Sequence, residues 1–262
     1  MITVRASSWS DLFDCPARWY ARNIEGRRIP LSGAAHLGSS LHIGTGVFDD
    51  ARLRGDPIGV DDAAGVLVDA LHNPVGEVNW EDLGNARKVE PIALSLHGRY
   101  CREIAPHREY IAVEALCEAL DIRCEGITVR LTGTTDRIRR SGADGYGITD
   151  LKSGARAVDG EGRAVTKGHG LQLAVYELLA EQVIGKKITT AAEVIGMQTT
   201  KQARIGTGRV EAARETLIGT EERPGMLEHA AGMMRAGMFH GNPRSNLCSE
   251  RYCPVYGECH YR

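Results

Sequence analysis

The 262-residue sequence contains no apolar run near the roughly 18–20 residues that a membrane-spanning helix requires. Its start, Met1-Ile2-Thr3-Val4-Arg5, lacks the apolar stretch of a secretory signal, so a cytoplasmic protein is the expectation. Aromatic residues are scarce at 5%, but 42% hydrophobic and 25% charged residues are the balance of an ordinary globular protein. Such a chain is long enough for one substantial core, or a core with a helical appendage. A formal net charge of −2 excludes a globally basic coat for nucleic acid. It does not exclude local cationic patches, and three clusters qualify: Arg18, Arg22, Arg27 and Arg28; Arg137, Arg139 and Arg140; Lys186, Lys187, Lys201 and Arg204. Disulfides are not expected of the seven cysteines in a reducing compartment, which leaves metal ligation or simple burial.

Along the chain, Ser8 and Asp11 are spaced as a capping box, and Leu12, Cys15 and Trp19 then share a helical face, with Pro16 marking a kink or the true first turn. Gly33 to Gly38 reads as a loop into a helix over 39–52 that carries His42. Further helices are expected over 61–71 and 92–104. From Tyr110 the texture turns to β-branched and aromatic residues. Strands are expected over 110–120, 127–140 and 146–152, with turns at Glu125-Gly126 and at 142–145, as an antiparallel meander. A helix over 171–183, a strand over 192–199 and a long helical region from Arg209 to about Met238, interrupted at Pro224, complete the pattern. There is no internal repeat. The order predicts an α/β fold: a mixed, largely antiparallel sheet flanked by helices.

Residues two apart on a strand point the same way, so Asp150 and Lys152 share a face. With the preceding turn centred near Ala143, Asp136 falls opposite Asp150, and two carboxylates and a lysine converge. Hard divalent cations such as Mg²⁺ choose carboxylate, carbonyl and water oxygens. A cation held by Asp136 and Asp150 would meet a scissile phosphate there, with Lys152 to orient the attacking water or offset phosphate charge. His42 offers a nitrogen ligand, which tilts the preference toward Mn²⁺.

The order of these pieces resembles the PD-(D/E)xK nuclease superfamily, and within it the RecB-like branch that includes AddB nuclease domains, CRISPR-associated exonucleases and phage recombination exonucleases. The matching segments are Gly38-Ser39-Ser40-Leu41-His42, Gly133-Thr134-Thr135-Asp136-Arg137-Ile138, Ile148-Thr149-Asp150-Leu151-Lys152-Ser153-Gly154 and Gln172-Leu173-Ala174-Val175-Tyr176. Glu114 stands where this branch often has a glutamate on the first core strand. The resemblance spans roughly residues 8–260 and implies a restriction-endonuclease-like core. It implies His42, Asp136, Asp150 and the Leu151 carbonyl as metal ligands for Mg²⁺ or Mn²⁺. Lys152 becomes catalytic, and Gln172 and Tyr176 position Lys152 and the DNA backbone. Asp150 occupies a position that is often glutamate in the family.

The tail carries Cys248, Cys253 and Cys259, three thiols at short spacing with Pro254 after the second. Three thiolates leave a tetrahedral ion or a cluster one ligand short. The iron–sulfur members of the RecB-like branch take one cysteine from an early helix and three from the C-terminus, so the resemblance implies Cys15 as the fourth ligand of a [4Fe–4S] cluster. The Cys248–Cys253 gap is longer than the family's usual spacing, and His260 offers a zinc-compatible alternative. Joining Cys15 to the tail closes most of the chain into one loop, worth on the order of 5 kcal/mol by the entropy model used for disulfides. Cys101, Cys117 and Cys124 lie in apolar patterns and are expected in the core.

The expectation is one domain over 1–262, with a catalytic core near 110–200 and helical flanks, 1–109 and 201–262, joined by the cysteine site. Its expected activity is exonucleolytic cleavage of DNA, from a free end or as single strands, in recombination, repair or phage DNA processing in a bacterial cytoplasm. A recombination or helicase partner fits that setting; a membrane does not. A structure-specific or flap endonuclease stays open. So does a non-catalytic DNA-binding or helicase-partner module with a zinc cap, against which the intact His42, Asp136, Asp150 and Lys152 set argues.

Overall fold

A computed structural model describes residues 1–211 and 213–262. The chain opens with β1 (Ile2–Arg5), α1 (Trp9–Asp14) and α2 (Pro16–Asn23). The break between the helices is at Cys15, which is extended, and Pro16 takes the first position of α2, where its missing N–H costs nothing. The capping box expected at Ser8 does not form. Ser8 follows a 3-10 turn, and its hydroxyl instead donates to the Arg5 carbonyl and accepts from the Trp19 indole.

A short ladder pairs β2 (Leu31–Ser32) with β3 (Val78–Asn79); between them run α3 (Gly33–Leu53) and α4 (Val60–His72), and α5 (Ala86–Arg99) follows. The expected loop at 33–38 is therefore the first turns of α3. Ser32 caps that end by accepting from the Ala35 amide at 3.2 Å. α5 runs on through a π-helical turn, Tyr100–Ile104.

β4 (Glu109–Cys124), β5 (Ile127–Ser141) and β6 (Gly145–Gly154) form the expected meander. Glu125 and Gly126 both have positive φ, as a two-residue hairpin turn of matching twist requires. The pairing of Ser141 with Gly145 centres the second turn on Ala143, as expected. After α6 (Gly170–Ile184), β7 (Ala192–Gln198) pairs parallel with β6, and β8 (Ile205–Val210) pairs antiparallel with β7. β7 is buried at every residue, and its one charged side chain, Glu193, is met by Arg108 and by the Thr149 hydroxyl. The helical region expected from Arg209 to about Met238, interrupted at Pro224, is instead the end of β8, then α7 (Ala213–Ile218), a ladder of β9 (Gly219–Thr220) with β10 (Arg223–Pro224), and α8 (Met226–Ala236); residue 212 lies outside the described residues.

The sheet is mixed, with helices on both faces. One core packs α1, α2, α6, α7 and α8 against β1, β5 and β6; the other packs α3, α4 and α5 against Leu151, Ile195 and Met197. Both β1 and β8 join this sheet from outside the 110–200 span. On one edge, β5 is accompanied along its length by β4. On the other, β1 pairs with residues 129–132 and β6 with residues 137–141. Residues 133–136 fall between, so the sheet forks there.

The segment that follows β6 is laid tightly across β7 and β8. A Cβ at Gly196 would collide with the Ala157 carbonyl, and one at Gly206 with the Gly162 carbonyl; both obstacles are backbone. Asp159 holds this loop by accepting from the Glu161 and Arg163 amides. Overpacking of this kind costs about 1–3 kcal/mol. Gly196→Ala should therefore lower the free energy of unfolding by that amount, read as a lower urea midpoint at unchanged m-value, while Gly160→Ala, where nothing lies within 4 Å, should leave the midpoint unchanged. Equal midpoints would show that the loop does not bear on β7.

Candidate active site

The fork brings together side chains from three strands and one helix. The β4–β5 register carries Glu114 opposite Asp136, and the β5–β6 register, continued by one residue, carries Asp136 opposite Asp150. From α3, His42 meets them: Nδ1 lies 3.4 Å from Asp136 Oδ1, and Nε2 is 3.1 Å from the Leu151 carbonyl. α3 approaches this closely because Gly38 rests on Ser153, where a Cβ would collide with the hydroxyl.

His42, Glu114 and Asp136 each offer a ligand atom, all within 4.8 Å of one another. Asp136 Oδ2 also accepts from the Leu151 amide at 2.7 Å. Burial alone would raise the Asp136 carboxyl, but the His42 and Lys152 charges and the Leu151 amide hold it at about 2. Burial and the neighbouring Asp136 charge push Asp150 up to about 6. Lys152 Nζ stands 2.6 Å from Asp150 Oδ2 as an ion pair, and the buried Oδ1 has no hydrogen-bond partner among the described residues. A buried carboxylate with free lone pairs is costly unless something positive occupies them. Burial lowers His42, yet the Asp136, Glu114 and Asp150 charges outweigh it and raise the imidazole above its ordinary value. A hard cation with one nitrogen ligand suits this donor set.

Gln172 Nε2 donates to the Tyr176 hydroxyl at 3.2 Å, one turn apart on α6; among the described residues it reaches Tyr176 and not Lys152. Burial and the Asp136 and Asp150 charges hold Tyr176 protonated. His169, just before α6, is kept neutral to about 4 by burial and by the Lys152 charge. Glu114, noted in the sequence for its place on the first core strand but not assigned there as a ligand, joins the ligand group through its register opposite Asp136. Its backbone has φ of 46°, a strained value for a non-glycine residue, and its Oε1 accepts from Arg137 at 2.8 Å.

The expected basic clusters are largely spent inside the protein. Arg18 is buried against Asp11 and Asp14, Arg27 pairs with Glu258, Arg137 with Asp49, Arg139 with Glu193 and Arg140 with Glu109. Lys187 pairs with Glu181, Lys186 donates to the Tyr146 hydroxyl, and Arg204 to Gln198.

At the far end of α1, Cys15, Cys248, Cys253 and Cys259 line one small recess with Arg18, Asn242 and Leu247. The Asn242 amide donates to Cys15 Sγ at 3.4 Å, and Asn242 and Ser245 both bond to Asp14. Burial raises the Cys253 thiol, and the neighbouring Cys15 and Cys259 sulfurs push the same way. His260 is exposed and outside the recess lining. Cys101 and Cys117 are buried as expected, whereas Cys124 is only partly covered, at the hairpin end of β4.

The solved structure of SSO0001 is similar, at 13% identity and a TM-score of 0.45, over 98% of this chain and 85% of that one. A protein of Eubacterium rectale named "Putative exonuclease" is similar at 16% identity and a TM-score of 0.46, over 89% and 77% of the two chains. Neither likeness is close enough to bear on function, and no curated protein matches by sequence. The PD-(D/E)XK nuclease superfamily, by contrast, matches residues 4–260. With that match running over nearly its whole length, the chain belongs to the PD-(D/E)XK nuclease superfamily.

Proposed function

We propose that this protein is a single-domain, Mg²⁺- or Mn²⁺-dependent DNA exonuclease of the RecB-like branch, with a structural [4Fe–4S] cluster. Superfamily membership supplies the coarser statement, a nuclease that hydrolyses DNA, and such nucleases use divalent metal. No described helix is long and apolar enough to cross a membrane. The observation that carries the proposal is the convergence of His42, Glu114 and Asp136 within 4.8 Å, beside a buried Asp150 whose Oδ2 meets Lys152 and whose Oδ1 has no hydrogen-bond partner among the described residues. His42, Glu114, Asp136, Asp150 and the Leu151 carbonyl are the assigned metal ligands. A bound divalent cation supplies positive charge against the phosphate and acidity to the attacking water.

The chain's own groups do the rest. Lys152, held at Asp150, donates toward a phosphoryl oxygen and orients the water for in-line attack. Asp150, once deprotonated, keeps that ammonium in place. The Tyr176 hydroxyl, oriented by Gln172, stays a neutral donor to the DNA backbone. Exonucleolytic action in recombination, repair or phage DNA processing, and a helicase or recombination partner, are readings that follow the resemblance to the RecB-like branch.

Lys152→Ala should cut turnover on the order of a thousandfold while leaving DNA affinity and the thermal midpoint near wild type. Turnover within a few-fold of wild type would sink the assignment. The pH profile follows from the sign of the shifts: Asp150 is protonated below about 6, and His42, raised above its ordinary value by the neighbouring carboxylates, holds its proton to higher pH than a free imidazole. Both must be deprotonated to bind metal. At limiting Mn²⁺, activity should fall as pH drops through this range, and excess Mn²⁺ should shift the fall to lower pH. A flat profile at limiting metal would remove both residues from the ligand set.

The cysteine recess gathers four thiols, the number a [4Fe–4S] cluster takes, and His260 lies outside its lining. Anaerobically purified protein should be brown, contain iron and acid-labile sulfide, and bleach with reductant. Alanine at Cys15, Cys248, Cys253 or Cys259 should abolish the colour and lower the thermal midpoint, whereas Cys101→Ala, Cys117→Ala and Cys124→Ala should keep the colour. Colourless protein with one zinc per chain, lost in His260→Ala, would overturn the cluster in favour of zinc.

A further inference from the structure

Beside the fork, β1, β4 and β5 line an open groove of about 650 Å³. Tyr176 belongs to its wall, so the groove shares a residue with the site. The link is close along the strands as well: Leu116 pairs with Thr134, and each is two residues from Glu114 and Asp136, respectively. Two residues of strand span about 7 Å, roughly one nucleotide of an extended single strand.

The groove has an amphipathic lining. Leu116 is an apolar side chain left 82% exposed by its own fold. Arg5 is exposed, pairs in register with Thr132, and its guanidinium makes no ion pair or hydrogen bond among the described residues. Ser7, Thr132 and Thr134 place hydroxyls between them. Most other arginines near the sheet are already neutralised by carboxylates, which makes Arg5 a cation available to an external anion. An apolar platform, a free cation and intervening hydroxyls match a base, a phosphate and a sugar.

We propose that this groove is the subsite for the nucleotide adjoining the scissile phosphate, with Leu116 against the base and Arg5 at the flanking phosphate. This rests on the nuclease site assigned above. It adds a binding role for two residues outside the ligand set, both on a surface where substitution leaves the core intact.

The test is fluorescence anisotropy of a fluorescein-labelled single-stranded oligonucleotide with the full-length protein in Ca²⁺, over a series of salt concentrations, alongside steady-state cleavage in Mn²⁺. Leu116→Ala should weaken binding roughly five- to tenfold, in line with loss of one aliphatic contact with a base, without changing the salt slope. Arg5→Ala should reduce the slope of log affinity against log salt by about 0.7, the value for one phosphate on a single strand; Arg5→Lys should restore it. Both should raise KM while kcat stays within about twofold, because neither residue touches the reacting atoms. Arg87→Ala, on α5 in the other helical layer, is the control for non-specific charge and should keep the wild-type slope. The inference is overturned if Leu116→Ala and Arg5→Ala bind as wild type while Lys152→Ala is inactive, an outcome that leaves the active site standing. It is equally overturned if Arg87→Ala lowers the slope as much as Arg5→Ala. Wild-type cleavage by Lys152→Ala would instead strike the nuclease site itself.

Discussion

One guanidinium holds the site together. Arg137 has no exposed side-chain surface, and a charge so placed costs several kcal/mol unless its donors are met. They are: Nε donates to Asp49 on α3 at 2.7 Å, Nη1 to Glu114 on β4 and to the Asp136 carbonyl at 2.8 Å each, and Nη2 to Thr45 at 3.3 Å. Asp49 in turn accepts from the Tyr100 hydroxyl at 2.5 Å. Burial opposes the arginine's charge, but the Asp49 and Glu114 carboxylates keep it protonated. The network bolts α3 to β4 and β5, and it sets one oxygen of Glu114.

The rest of the geometry follows from that bolt. Asp49 lies seven residues, close to two helical turns, beyond His42, so both fall on one face of α3. Fixing Asp49 at Arg137 therefore fixes His42 against Asp136 and Leu151. The fork of the sheet supplies the other half. Between β1 and β6, residues 133–136 of β5 have no strand partner on one edge, so side chains and a cation can enter where backbone would otherwise pair. Asp150 is then buried with one oxygen against Lys152 and the other unmet among the described residues, a local cost that a bound cation would offset. At the other end of α1, Asp14, Arg18 and Asn242 dock the tail on the first helices, and the four cysteines are gathered there.

Much of this was legible in the sequence, for identifiable reasons. The meander was readable because β-branched runs alternate with turn residues, and the Ala143 turn centre placed Asp136 opposite Asp150. Asp150, Lys152, Gln172 and Tyr176 were legible through their order along the chain. What escaped depended on tertiary context. β8 carries glycines at 206 and 208 because the preceding loop lies against it, and those glycines disguise a strand. β1 is four residues long and gains its place only from β5. The first turns of α3 looked like a loop because Gly33 and Gly38, poor helix formers, are there to admit close neighbours. The arginine clusters looked like DNA contacts because the carboxylates that neutralise them mostly lie far off in sequence.

The central claim is that His42 and three acidic side chains from adjacent strands hold one cation at the fork. Pulsed electron paramagnetic resonance of Mn²⁺ bound to the full-length protein tests it most directly, because a histidine ligand modulates the electron spin echo through its directly bound nitrogen. The account predicts one tightly bound Mn²⁺ per chain with the modulation of a single imidazole, absent in His42→Ala protein reloaded with Mn²⁺. A bound Mn²⁺ whose imidazole modulation survives in His42→Ala, or that shows none in the wild type, would contradict it.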